Sequence, residues 1–251
     1  MFRIRASVKA TAFVIVGQER SGTTLAQTLV SSHPKILCRG ELFDVWQIDD
    51  SGRKTTDPAA LFARDADPEG FLRRKLAGEG LHPPVPPIIG FKLLTQHNPD
   101  ILMRVIAANP DWKIIHVRRE NKLAQFSSRQ QVGKTGKWTS LTDAGHGPQI
   151  NVAPKRALAQ CNLLRLEDEL LHSYLDRLAN PLLTVRYETL YQSQTHHALA
   201  AFLGVDPKAR LTSPLRKQGQ NHILSRFENA DDIRAQFEGS GLGHWLDDEL
   251  G

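Results

Sequence analysis

The segment Phe13-Val-Ile-Val-Gly-Gln-Glu-Arg-Ser-Gly-Thr-Thr-Leu25 decides the fold class of this chain. Its apolar start predicts a buried strand, two glycines bound a short loop, and a helical pattern follows over 23–30. Such a loop binds phosphate, because its N–H groups point inward and the helix N-terminus adds positive charge. The alternative is a strand–turn–helix connection without a ligand. We favour a phosphate site because four donor side chains fall within five residues: Arg20, Ser21, Thr23 and Thr24.

The loop departs from the nucleotide triphosphatase pattern at one position. Its spacing matches G-x-x-x-x-G-K-[ST], but Thr23 stands where the lysine should be. The fixed positive charge is Arg20, which lies inside the loop. A triphosphatase uses that lysine on the β- and γ-phosphates, usually with a metal ion beside it. This difference argues against a nucleotide triphosphatase.

Short β-branched runs alternate with helical patterns along the rest of the chain. This alternation predicts an α/β, P-loop-like three-layer fold, in which a central parallel sheet of about four to five strands is flanked by helices. The predicted strands are 12–16, 88–94, 112–117 and 182–185, and the predicted helices are 23–30, 100–108, 121–131, a long one opened by Pro154, and 198–203.

Length and composition predict one ordinary globular domain over residues 1–251. The chain is 40% hydrophobic and 24% charged, and its two cysteines are too few for a disulfide scaffold or a cysteine metal cluster. Two stretches, at about 51–87 and 132–153, are expected to be loop insertions, the first with a possible short helix at 68–76. The oligomeric state is unknown from the sequence.

Charge and hydropathy limit the partners and the location. The net charge of +5 suits a polyanionic partner, but the positive charge is scattered, so nucleic-acid binding is not expected. No apolar run approaches the roughly 20 residues of a membrane span. The first 17 residues imitate a signal peptide, yet their apolar stretch is short and ends in a glycine turn. We interpret it as a buried strand and expect a cytoplasmic protein.

The phosphate loop resembles the 5′-phosphosulfate loop of sulfotransferases that use 3′-phosphoadenosine 5′-phosphosulfate (PAPS). Its R-S-G-T-T-L sequence is most similar to tyrosylprotein and bacterial carbohydrate (nodulation-factor type) sulfotransferases. Further segments carry the same resemblance in the same order: Ser32–Glu41 (H-P-x-I-x-x-x-G-E), Lys113–Ser128 (the 3′-phosphate segment), Val185–Leu190 (Y-E-x-L), Phe202–Gly204 (F-L-G) and the basic Arg216-Lys217. The resemblance covers most of the chain from Phe13 to Asn229.

This resemblance implies a soluble bacterial enzyme that transfers sulfuryl from PAPS to a carbohydrate or related small molecule, with a hydroxyl as the favoured acceptor group and an amine as the alternative. The transfer would be in line and metal-independent, and 3′,5′-bisphosphoadenosine would be the second product. Two alternatives remain open from the sequence. One is a P-loop kinase or other phosphotransferase, and the other is a nucleotide- or glycan-binding relative without catalysis.

The resemblance also assigns catalytic roles. Arg20 would stabilise charge on the leaving phosphate or act as a simple clamp, and Lys92 would help to neutralise the sulfonate or be solvated. Glu41 matches the family's catalytic base, and the alternative is that it caps a helix over 42–46. His33 is a rival base, although its neighbours favour a turn residue. Donors to the phosphosulfate would be Ser21, Gly22, Thr23 and Thr24.

A second set of residues would bind the nucleotide. Arg119 and Ser127 are expected to bind the 3′-phosphate, with Arg118 and Ser128 as the alternative register. Tyr187 would pack near the adenine or belong to the core. Arg216 and Lys217 would close over the 3′-phosphate. The acceptor is expected to meet the two long loops and Trp138.

Overall fold

The computed structural model describes residues 11–82, 85–136, 147–215 and 219–250. The strands are β1 (Thr11–Gly17), β2 (Ile36–Cys38), β3 (Ile48–Asp50), β4 (Arg53–Thr55), β5 (Ile88–Leu94), β6 (Lys113–Arg118) and β7 (Leu182–Arg186). The helices are α1 (Thr23–Ser31), α2 (Pro58–Ala66), α3 (Pro68–Leu76), α4 (Lys122–Thr135), α5 (Pro154–Leu175), α6 (Ser193–Leu203) and α7 (Ala230–Gly239). No described helix is both long and apolar enough to cross a membrane.

In the described part of the chain, five parallel strands form the main sheet in the order β2-β5-β1-β6-β7. The α/β prediction of four to five parallel strands flanked by helices is confirmed. Gly17 at the end of β1 is in register with Leu94 of β5 and with Val117 of β6. The segments that follow these three strands therefore meet at one edge, where ligands bind in open α/β sheets.

Helices cover both faces of the sheet. Along β1, Phe13 and Ile15 pack in one core cluster with α1 and α6, whereas Val14 and Val16 pack in another with α3. All four side chains are buried, as the uninterrupted apolar run requires when a strand is covered on both faces. A third cluster lies between α4, α5 and α7. The predicted buried strand near the N-terminus is thus confirmed as the centre of the sheet.

The stretch 51–87 contains more structure than the predicted loop insertion. The β3–β4 hairpin ends within it, α2 and α3 follow, and α3 matches the predicted helix at 68–76. Asp–Pro pairs at 57–58 and 67–68 begin the two helices, with the aspartate accepting a backbone N–H and the proline at the first helical position. The prediction missed α2 because it weighed the charges and glycines of the stretch above this start signal.

Other boundaries shift by a few residues. Helix α4 continues to Thr135 and ends at Gly136 in the left-handed conformation, so the second predicted insertion begins later than 132. Residues 137–146, including Trp138, lie outside the described residues. The helix expected at 100–108 is a π-helical turn, Ile101–Ile106. Helix α6 begins at Ser193, five residues earlier than predicted.

Candidate active site

A cleft of about 750 Å³ opens at the sheet edge where β1, β5 and β6 end. That volume is at the upper end of the range for small-molecule and cofactor sites. Two sets of interacting side chains line it, together with more peripheral residues. We call Arg20, Arg119, Ser128 and Tyr187 the arginine group, and Thr24, Glu41 and Lys92 the lysine group.

The glycines of the phosphate loop are required by close contacts. A Cβ on Gly17 would lie 2.7 Å from the carbonyl oxygen of Val117 and 2.8 Å from Ser21 Oγ. Gly22 has a φ of 100° at the N-cap of α1, and a Cβ there would lie 2.6 Å from the ring of Tyr187. Ser21 Oγ is buried and has no hydrogen-bond partner among the described residues. The loop therefore holds an unsatisfied buried hydroxyl beside a helix N-terminus.

Arg20 connects the loop to α4. Its backbone is left-handed, with φ of 61°, which is uncommon for a residue with a side chain. Its Nε donates to Ser128 Oγ at 3.0 Å, and its carbonyl oxygen accepts from Arg119 Nη1 at 2.8 Å. Burial, and then repulsion from Arg119, lower the pKa of Arg20 to about 10. Arg20 is still a cation at neutral pH, so the cleft keeps a fixed positive charge.

Arg119 is buried and closely packed. Its Nε donates to Glu249 Oε1 at 2.6 Å, and its guanidinium lies 4.5 Å from the centre of the Tyr187 ring. Burial favours the neutral form of Arg119, but the carboxylate of Glu249 outweighs it and raises the pKa. Tyr187 is itself buried against Gly22, so it belongs to the core as one alternative predicted, and it also lines the cleft.

The two serines of α4 face different surroundings. Ser127 is fully buried, donates to the carbonyl oxygen of Ala124 at 2.9 Å and accepts from Arg226 Nη1 at 3.1 Å. Ser128 lines the cleft and accepts from Arg20. The structure therefore brings Ser128 to Arg20 and directs Ser127 toward Arg226. Arg216 and Lys217 lie outside the described residues.

Arg118 points away from the arginine group. Its Nε lies 2.9 Å from Asp168 Oδ2, and Lys122 Nζ lies 2.9 Å from the same oxygen. This buried carboxylate on α5 thus fixes the end of β6 and the start of α4. Glu188 of the Y-E-x-L segment accepts the backbone N–H of Glu120 at 2.9 Å, which places a carboxylate at the N-terminus of α4.

The lysine group lies where β5 ends. Lys92 Nζ is 2.8 Å from Glu41 Oε1 and donates to Thr24 Oγ1 at 2.9 Å. Lys92 is buried, so the alternative of a solvated lysine is wrong. Residues 42–46 form a turn and a bend, so the alternative that Glu41 caps a helix there is also wrong. His33 lies in a turn, where its Nδ1 accepts the Lys35 N–H at 3.2 Å, as its neighbours predicted.

His97 and Asp44 extend the lysine group, and the sequence analysis missed both. Carboxylate oxygens of Glu41 and Asp44 and a ring nitrogen of His97 lie within 4.8 Å of one another. His97 Nδ1 accepts the Leu94 N–H at 3.2 Å, and burial lowers the pKa of its imidazole. Such a trio could ligate a metal ion, but the ammonium of Lys92 already lies against Glu41. We therefore interpret it as a hydrogen-bonding group.

The sequence analysis also missed Glu249 and Arg226. The Glu249 carboxylate lies between Arg119 and Arg226, and all three residues are buried. The only sequence signal for this contact is the presence of opposite charges, since 130 residues separate Arg119 from Glu249. Nothing local could have paired them.

Comparisons with known proteins indicate the family and the fold of the chain. No significant match is found among curated proteins. A crystal structure of a sulfotransferase from Alicyclobacillus acidocaldarius is similar in fold, with a TM-score of 0.50 and 17% identity over 91% of this chain and 96% of that one. A family model described as "Sulfotransferase family" matches residues 12–208, which include the phosphate loop, Glu41, Lys92 and both ends of α4. The chain therefore belongs to the sulfotransferase family.

Proposed function

We propose that this protein transfers the sulfuryl group of PAPS to a hydroxyl group of a carbohydrate or related small molecule. The observation that carries the proposal is the convergence of a lysine-free phosphate loop, the Arg20 cation and the Glu41–Lys92 pair on one cleft. Family membership supports the transferred group, because sulfotransferases generally use this donor.

The residues present fit the phosphosulfate of PAPS. Ser21 Oγ is buried without a partner among the described residues, so an anion in the loop would satisfy it. The N-terminus of α1 and the Arg20 guanidinium add positive charge at the same place. PAPS, when bound, supplies an activated sulfuryl group whose leaving group is a phosphate. The chain would hold that phosphate through Arg20, Ser21, Gly22, Thr23 and Thr24.

In this proposal Glu41 acts on the acceptor hydroxyl, and Lys92 acts on the leaving oxygen. Glu41 accepts the proton of the acceptor hydroxyl as the new sulfur–oxygen bond forms and the old sulfur–oxygen bond to phosphate breaks. A proton on Glu41 cancels its attraction for Lys92, which lies only 2.8 Å away. The ammonium charge then becomes available to the leaving oxygen when negative charge develops there. Arg20 stabilises the same charge from the loop.

The arginine group supports recognition of the 3′-phosphate. Ser128 and Arg119 both form hydrogen bonds with Arg20, and the Arg119 guanidinium lies against the Tyr187 ring. We propose that Ser128 rather than Ser127 contacts the 3′-phosphate, because the Ser127 hydroxyl already donates to Ala124 and accepts from Arg226. Arg216 and Lys217 stay part of the proposed 3′-phosphate site on the strength of the resemblance alone. Selection for the 3′-phosphate is what would distinguish PAPS from ATP.

The first test is calorimetric binding of 3′,5′-bisphosphoadenosine, with AMP and ATP as competitors and no Mg²⁺. We expect micromolar affinity, about −8 kcal/mol, that depends on the 3′-phosphate. Ser128→Ala and Arg20→Ala should both weaken binding, since each removes a polar contact in the cleft. Arg104→Ala is the matched control, because it removes one positive charge at an exposed site on the π-helical turn.

Three results contradict the proposal. Affinity for AMP equal to that for 3′,5′-bisphosphoadenosine removes the basis for PAPS as donor. Binding only of Mg·ATP, with phosphate transfer to an acceptor, would put the kinase alternative first. Tight 3′,5′-bisphosphoadenosine binding without sulfuryl transfer from PAPS to any acceptor would instead favour the non-catalytic alternative.

A further inference from the structure

The segment 41–47 carries an exposed aromatic residue at the cleft. Trp46 is 80% exposed and Val45 is 55% exposed, and both line the cleft that contains the lysine group. Exposing a tryptophan to this extent leaves a large apolar surface in water. The same segment begins with Glu41, so Trp46 lies within five residues of the proposed catalytic base.

The fold holds this segment firmly in spite of its exposure. Arg64 is 2% exposed, and its Nη1 donates to the carbonyl oxygens of Leu42, Asp44 and Gln47 at 3.2, 2.7 and 3.3 Å. Within the segment, the side chains of Leu42 and Phe43 are buried, and the Arg64 guanidinium lies 6.0 Å from the centre of the Phe43 ring. The buried Arg64 side chain thus holds the backbone conformation of a segment whose tip is exposed.

Asp44 orders the tip of the segment. One of its carboxylate oxygens accepts the Trp46 N–H at 2.9 Å, and the other accepts from the Gln47 amide at 3.1 Å. Asp44 therefore fixes the backbone of Trp46 directly, and Arg64 fixes the backbone of Asp44 and Gln47 on either side of it. An aromatic ring on a fixed backbone loses little conformational entropy when a ligand covers it.

The surroundings of Trp46 are polar. Apart from Val45 and Trp46, the cleft residues in 44–56 and on the segment after β5 offer carboxylate, amide, hydroxyl, amine and imidazole groups: Asp44, Gln47, Asp49, Lys54, Thr56, Gln96 and His97. An aromatic acceptor such as a phenol would be enclosed by apolar walls. A saccharide ring instead combines an apolar C–H face with a rim of hydroxyls, which carboxylates and amides can bind as acceptors and donors.

We propose that Trp46 is the stacking platform of the acceptor subsite, and that this subsite takes a saccharide ring whose reacting hydroxyl is directed toward Glu41. The inference rests on the proposed function and adds the subsite and its specificity-determining residue. Trp46 covers the apolar face of the ring, while Asp44, Gln47 and Gln96 bind hydroxyls at its edge. Arg64 acts as a positioning residue through the backbone of the segment.

The test compares three variants with the wild-type protein saturated with 3′,5′-bisphosphoadenosine. Saturation-transfer NMR and titration measure binding of methyl β-D-glucopyranoside, cellobiose and maltose, with 4-nitrophenol as the non-sugar probe. We expect at least one saccharide to bind, and Trp46→Ala to weaken its binding by about tenfold or more. Trp46→Phe should retain most of the affinity. Phe62→Ala is the matched control, because Phe62 is 74% exposed on α2 and is outside the cleft lining.

Nucleotide affinity, measured separately, distinguishes failure of this inference from failure of the proposed function. If 3′,5′-bisphosphoadenosine binds normally but no saccharide binds, or saccharides bind equally to Trp46→Ala, the subsite assignment is wrong and the donor proposal stands. Trp46-dependent binding of 4-nitrophenol alone, or loss of nucleotide affinity in Trp46→Ala, also overturns it. Circular dichroism of Trp46→Ala should match the wild type, since the side chain is exposed.

Discussion

His116 offers a quantitative test of the core around the site. It lies on β6, is fully buried, and neither ring nitrogen has a hydrogen-bond partner among the described residues. It stacks on His172 with centroids 5.6 Å apart, and its Nε2 lies 3.8 Å from Asp168 Oδ1. Burial lowers the pKa of His116 to about 4; Asp168 works against this shift, while Arg118, His172 and Lys122 add to it. His116 is therefore neutral at pH 7.

The sign of the effect follows from proton uptake. The unfolded chain binds a proton at His116 near its ordinary pKa of 6.5, whereas the folded protein binds it only near 4. Between these values the unfolded state holds more protons, so stability is lost as the pH falls. From pH 7 to pH 5, His116 alone should remove about 2 kcal/mol from the free energy of unfolding. With a urea slope of about 3 kcal/mol/M, the midpoint falls by about 0.7 M.

The assay is urea unfolding of the wild type and of His116→Leu at pH 7 and pH 5. The leucine removes an unsatisfied buried polar group, and it should make the stability less dependent on pH by about 2 kcal/mol over this interval. His197→Gln is the control, because His197 is exposed and should keep the wild-type slope. Equal pH dependence in the wild type and in His116→Leu would refute the argument from burial.

Three further variants test the site. Glu41→Gln should lower kcat for sulfuryl transfer by about 10²- to 10⁴-fold, because it removes the proton acceptor, with 3′,5′-bisphosphoadenosine affinity unchanged in calorimetry. Gly22→Ala should abolish nucleotide binding in the same measurement, since its Cβ would lie 2.6 Å from the Tyr187 ring at a φ of 100°. Glu249→Gln should destabilise the protein in urea by about 3–5 kcal/mol, because it leaves the buried Arg119 without its counter-charge; a loss below about 1 kcal/mol would contradict that role.

Local patterns were sufficient for the phosphate loop and for four of the five strands of the main sheet, whereas the short edge strand β2 was not predicted. The buried run before Gly17 is apolar at every position because both faces of β1 are covered, so it is visible without knowledge of its neighbours. The glycines of the loop are also visible in the local sequence, although the contacts that require them are made by the distant residues Val117 and Tyr187. The resemblance to sulfotransferases followed from the same segments. Helix α2 also had a local signal, the Asp–Pro start at 57–58, but the prediction gave more weight to the charges and glycines around it.

The sequence by itself therefore determined the parallel α/β fold and the identity of the loop cation, Arg20. Only the tertiary structure decided which serine accompanies it. Neighbouring positions on a helix point about 100° apart, so Ser128 faces Arg20 while Ser127 faces Arg226, and the sequence cannot show which face of α4 meets the loop. The same holds for His97 and for Glu249. Their roles depend on contacts between distant segments, and those contacts exist only once the sheet has brought the strand ends together.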